Sequence, residues 1–153
     1  MRKPYFRTPA GAPAPLLHSV RRVIRFEEVD PLGIVWHGRY PSYFEDARVV
    51  LGDRYGIGYL DFHREHVVTP IKQLHVDYIL PLRFGESCTV TALLHWADSA
   101  RINFEFEIRN DREQLVTTGY TVQLFLDEAG ELLMCPPDFY QAFCTRWKNG
   151  ELA

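Results

Sequence analysis

The residues best placed to do chemistry in this chain cluster between Val29 and Tyr40. Asp30-Pro31 heads a tight apolar turn, Leu32-Gly33-Ile34-Val35-Trp36, and His37 follows directly. A helical pattern then begins, with Pro41 at its first turn. The first amides of a helix have no intrahelical partner and sit at the positive end of its dipole. Such amides can hold a carbonyl oxygen while a neighbouring carboxylate attacks the carbon or activates water against it. Asp30 is therefore the expected catalytic carboxylate, as nucleophile or as general base. The backbone amides of Gly33, Val35, Trp36 and His37 are the expected oxyanion donors. The His37 imidazole is expected to assist by orienting water, donating to the carbonyl or pairing with Asp30. Glu45 lies farther along the helix and is a reserve base, although its i,i+3 spacing to Arg48 also suits an ordinary surface pair.

The elements that must position these groups are readable from periodicity. Apolar and basic residues alternate from Val20 to Phe26, which suits a strand. Tyr40, Phe44, Ala47, Leu51 and Tyr55 recur at helical spacing, and Tyr43 and Val50 widen that stripe into the arc of a helix packed within a sheet. Gly56 is the natural stop. Four strands are expected next: Val67 to Leu80, Cys88 to Trp96, Arg101 to Arg109 and Gln114 to Leu126. Their order suits an antiparallel meander. In the third, Ile102, Phe104, Phe106 and Ile108 share one face, and Asn103, Glu105 and Glu107 are expected to meet water on the other. A short helix from about Asp138 to Trp147 closes the chain. The expected architecture is α+β, a curved antiparallel sheet wrapping one central helix.

At 153 residues the chain suits one domain. Pro4, Pro9, Pro13 and Pro15 make residues 1–17 an extended or disordered arm, and residues 18–153 the single domain. A net charge of -3 gives no electrostatic reason to expect nucleic acid. No apolar run is long enough to span a bilayer, so no membrane association is expected. Three unpaired cysteines, Cys88, Cys135 and Cys144, fit a reducing cytoplasm. The Asp61-to-His66 stretch, with His63 and His66 three apart, is read as a solvated loop or short turn. It lacks a third ligand at convincing spacing, so no metal is expected. No serine stands in a G-x-S-x-G context, which disfavours a serine hydrolase.

Asp30-Pro31-Leu32-Gly33-Ile34-Val35-Trp36, followed by Tyr40 and by Phe44-Glu45-Asp46-Ala47-Arg48, resembles the active-site signature of the 4-hydroxybenzoyl-CoA thioesterase-like family. The segment from Val76-Asp77-Tyr78 through Pro81-Leu82-Arg83-Phe84-Gly85-Glu86 and the run Phe104-Glu105-Phe106-Glu107-Ile108-Arg109 extend the likeness over roughly residues 18–137. The resemblance implies a hot-dog fold and hydrolysis of an acyl-CoA, or of an acyl group on a carrier protein, to a free acid and a thiol. It implies Asp30 as the carboxylate and the amide at position 37 as the polarising donor. It also implies a homodimer or homotetramer with sites between subunits, and no metal or redox cofactor. Val29, Phe26 and His37 depart from parts of the family and leave the acyl group open. A thioester suits this equipment, because its thiolate leaves without obligatory protonation and no Ser–His pair is needed. Arg83, Arg101 and Arg109 are candidates to grip CoA phosphates. Asp77 and Thr69 are candidates to reach a neighbouring subunit's site. Two other readings stay open: a non-catalytic acyl-CoA-binding sensor, and a hot-dog hydratase or dehydratase on CoA esters.

Overall fold

The computed structural model describes residues 2–152; the first residue of the expected arm and the last of the domain lie outside them. Strand β1 (Leu16–Val23) leads through the site loop to helix α1 (Tyr40–Tyr55). Helix α2 (Tyr59–Arg64), the short β2 (Val67–Val68) and β3 (Ile71–Tyr78) come next. Strands β4 (Ser87–His95), β5 (Arg101–Asn110) and β6 (Leu115–Leu124) follow, then the short β7 (Leu126–Asp127) and helix α3 (Asp138–Lys148). The main sheet is antiparallel with order β1-β4-β5-β6-β3, and β2 pairs with β7.

Two expectations change here. The strands do not form a four-strand meander: only β4, β5 and β6 are consecutive neighbours, and β3 joins β6 at the far edge. The expected strand from Val67 to Leu80 is also broken. Pro70 has no N–H to give a ladder, and the chain changes sheets across it.

Helix α1 fills the concave face because its apolar arc is wide: Tyr40, Tyr43, Phe44, Ala47 and Leu51 are all buried. Phe44 stacks on Phe106 of β5, with ring centroids 4.5 Å apart. The ring also lies over Gly119 of β6, where a Cβ would come within 2.7 Å of it and within 2.4 Å of the β3 carbonyl of His75. Glycine is therefore what allows helix and edge strand to close on β6 together. Gly56 ends the helix in the left-handed region at φ 72°. Short α2, which falls in the stretch expected as loop, is fixed by buried Phe62 against Phe125 and Phe139.

The convex face is not left to water as expected. Residues 2–15 form neither helix nor strand and lie across it. Arg2 pairs with Glu105 and Glu107, and Tyr5 packs against His75 and Tyr120. Phe6 packs against Tyr120 and His95. Glu105 is thereby buried, with its carboxylate 2.9 Å from His95 Nε2.

Candidate active site

The loop between β1 and α1 is pinned before it is functional. Buried Glu28 pairs with Arg22 of β1 through one carboxylate oxygen and accepts the Arg25 N–H at 2.7 Å through the other. Burial works to raise this carboxyl, but the Arg25 amide and the Arg22 guanidinium outweigh it and hold Glu28 below the ordinary range. Arg22 also pairs with Asp46 of α1 and lies over the Tyr43 ring, 4.3 Å from its centroid. One guanidinium thus ties strand, loop and helix together. Nothing in the sequence spacing marked Glu28 for this task.

Beyond Glu28 the chain makes a tight loop. Asp30 N–H donates to the Ile34 carbonyl at 2.8 Å, and Gly33 N–H donates back to the Asp30 carbonyl at 2.9 Å. Gly33 takes φ 76°, a conformation glycine adopts without strain. One Asp30 carboxylate oxygen, Oδ1, accepts the Leu32 N–H at 2.8 Å. Among the described residues Oδ2 accepts no hydrogen bond and remains available to a reactant.

Three of the four expected oxyanion donors are already committed. Gly33 N–H serves the Asp30 carbonyl, Val35 N–H donates to Leu82 O at 2.8 Å, and Trp36 N–H donates to Glu28 O at 2.9 Å. These bonds hold the loop in shape and remove Gly33, Val35 and Trp36 as donors to a substrate. The fourth, His37, opens a helical turn, His37–Arg39, that runs straight into α1. Its amide has no acceptor among the described residues, which is the condition an oxyanion donor needs. Gly38 follows it with Trp36 folded over the backbone, since a Cβ there would lie 2.3 Å from the indole ring.

Asp30 and His37 line one open cleft with Tyr40, Tyr78, Leu80 and Pro81. Tyr78 of β3 donates its hydroxyl to the His37 carbonyl at 2.7 Å, which ties the edge strand to the helix start. Tyr40 packs edge-on to Tyr78, and burial pushes its phenol up to about 12. The His37 imidazole is exposed and rests against the Trp36 ring at 5.1 Å rather than bonding Asp30. Tyr40 and Tyr78 line the cleft without any signal in residue spacing. Tyr40 reads as core by its spacing, and Tyr78 arrives from a strand far along the chain.

The remaining candidates fall elsewhere. Glu45 does not line this cleft; it pairs with Arg48 and accepts the Tyr59 hydroxyl at 3.0 Å. Arg83 sits beside the site loop, where its backbone bridges to Ile34. Arg109 is occupied on the convex face by Glu107 and the Glu113 carbonyl, and Arg101 stands at the opposite end of β5. The three arginines therefore form no joint phosphate cradle within one chain. Asp77 also points to the convex face, where Tyr5 and His75 hold it below the usual carboxylate range.

Residues 24–143 match the family model of the Thioesterase-like superfamily. The chain belongs to that superfamily. Among relatives, this thioesterase-like chain is 25% identical over 120 residues to YneP of Bacillus subtilis (strain 168), whose name proposes an acyl-CoA thioesterase. That match covers 78% of this chain and 85% of YneP. It is 27% identical over 123 residues to the chloroplastic acyl-acyl carrier protein thioesterase ATL3 of Arabidopsis thaliana, covering 78% of this chain and 65% of that protein. Among solved structures, a DHNA-CoA thioesterase from Staphylococcus aureus superposes with a TM-score of 0.76 at 25% identity. The superposition covers 88% of this chain and 94% of that one. The hot-dog architecture implied by the resemblance is the one observed: a five-stranded antiparallel sheet packed around α1.

Proposed function

We propose that this chain is an acyl-CoA thioesterase in which Asp30 is the catalytic carboxylate and the His37 amide polarises the thioester carbonyl. The observation that carries the reading is the pairing of a free Asp30 oxygen with an unpaired helix-first amide in one cleft. The thioester carbon sits between them, and negative charge develops on its oxygen at the positive end of α1. Asp30 either attacks that carbon, giving an anhydride that water opens, or takes a proton from water as it attacks. In both routes the thiolate of CoA departs and the free acid is released. On this reading the exposed His37 imidazole, which lines the same cleft, relays that proton. Arg83 is the arginine best placed to meet a CoA phosphate at the cleft mouth. A carrier-protein thioester fits the same chemistry, as the ATL3 name allows.

The active unit on this reading is a homodimer, with a cytoplasmic setting. Strand β3 is a sheet edge whose Leu74 and Tyr78, with Ile79 and Leu80 beyond it, are exposed and apolar. An edge of this kind calls for a partner strand. No helix among the described residues is long and apolar enough to cross a membrane.

The deciding experiment is thiol release from short, medium, long and aromatic acyl-CoAs by wild type and Asp30→Asn. Turnover of at least one ester, falling a hundredfold or more in the variant, is expected. Stoichiometric binding with every ester left intact would make the chain a sensor instead. Full activity in Asp30→Asn would remove Asp30 from the mechanism and turn attention to Glu45.

A further inference from the structure

The helix start that presents the His37 amide is made of residues that weaken a first turn. Gly38, over which the Trp36 ring is folded, loosens the backbone just after it. Pro41 stands one α-helical turn beyond His37 and has no N–H to return to the His37 carbonyl. The loop itself braces the amide on one side only: the Trp36 carbonyl, in the same peptide unit, accepts the Arg39 N–H at 2.9 Å. An oxyanion donor works by being aimed before the charge develops. A brace for the other side has to come from another element.

Tyr78, the last residue of β3, supplies it: the hydroxyl donates to the His37 carbonyl at 2.7 Å. That end of the strand is itself fixed to the sheet. The Ile79 and Leu80 amides both donate to the Val116 carbonyl of β6, at 2.9 and 3.0 Å. The Tyr78 ring also lies edge-on to buried Tyr40, with centroids 5.2 Å apart, which steadies its direction. Partial burial moves the phenol above its ordinary value, so the hydroxyl stays a donor across the neutral range. We propose that Tyr78 is a positioning residue for the reaction. Its hydroxyl replaces the hydrogen bond that Pro41 cannot make, and so holds the His37 amide aimed at the thioester carbonyl. The inference rests on the reading of that amide as the polarising donor. Tyr78 acts through the His37 backbone and takes no part in bond breaking.

The test begins with Tyr78→Phe, which keeps the ring against Tyr40 and removes only the hydroxyl. On the acyl-CoA that wild type turns over fastest, kcat is expected to fall about tenfold, less than the roughly 10²–10³ lost with a direct oxyanion donor. KM should stay within about twofold, because the interaction is made in the transition state. The Kd of the matching non-hydrolysable thioether, which lacks the carbonyl, should hold equally steady. Pro41→Ala added to Tyr78→Phe returns an N–H one turn beyond His37 and should bring kcat back to within about threefold of wild type. A merely structural role would lower stability without this split and without this rescue. Hydrogen exchange reads the brace with no substrate present. The Arg39 amide, bonded within the same turn, should exchange about tenfold faster in Tyr78→Phe. Unchanged kcat or unchanged exchange in Tyr78→Phe, or a loss that Pro41→Ala does not repair, would overturn the proposal. If wild type hydrolyses nothing, the thioesterase reading fails by itself, and the exchange rates still decide whether Tyr78 holds the turn.

Discussion

Asp30 owes its position to a buried carboxylate two residues before it. The Glu28 carboxylate binds Arg22 and the Arg25 amide, and its backbone carbonyl receives the Trp36 amide at the helix entrance. Glu28 is 2% exposed and held below its ordinary value. It therefore contributes stability that is present above the unfolded carboxyl value and lost as pH falls through the lower folded one. Glu28→Gln is expected to cost about 2 kcal/mol at neutral pH, the scale of hydrogen bonds to a charged group. Urea titrations at pH 7 and pH 3.5 should show the gap between wild type and variant narrowing in acid. An equal gap at both values would mean that the carboxylate charge is not what holds the loop. Glu105 titrates in the same direction for a similar reason: burial is outweighed by His95 and Arg2.

At the scale of elements the proposed dimer makes the β3 edge the part that completes the site. Leu74 lies in the middle of β3 and is half exposed in the single chain, so Leu74→Arg should leave the protomer folded. Two such charges brought together across an antiparallel pair repel. The variant is expected to sediment as a monomer and to lose at least a hundredfold in kcat/KM. An active monomer would mean that one chain holds a complete site. Much of this level was legible in the sequence: the α1 stripe, its Gly56 stop, and strands β4 and β5 were readable almost to the residue. Periodicity reports which way a side chain faces, not which strand lies beside it, and so β3 was set next to β4 instead of β6. Helix α2 is too short and too polar for its period to show. The spent amides of Val35 and Trp36 were hidden for a related reason. Their acceptors, Leu82 and Glu28, are brought to them by the fold, the first from far along the chain.

Across the whole molecule the two faces of the sheet have different fates. The concave face is filled by α1, and the convex face is strapped by residues 2–15, which reach as far as the Trp147 indole of α3 through the Ala14 carbonyl at 3.0 Å. Apolar surface is left along the β3 edge, and the assembly proposed here uses that edge. The three tryptophans divide along the same lines. Trp96 and Trp147 pack together, 5.3 Å between rings, where the strap and α3 shelter them. Trp36 stands 48% exposed and packs on His37, which lines the cleft. The protein therefore carries its own optical reporter. Emission from the sheltered pair should stay constant, while Trp36 contributes a red-shifted component that acrylamide quenches. A thioether analogue seated in the cleft should shift that component to the blue and protect it from the quencher, and Trp36→Phe should abolish both effects. A binding constant would then be readable without a label and without turnover.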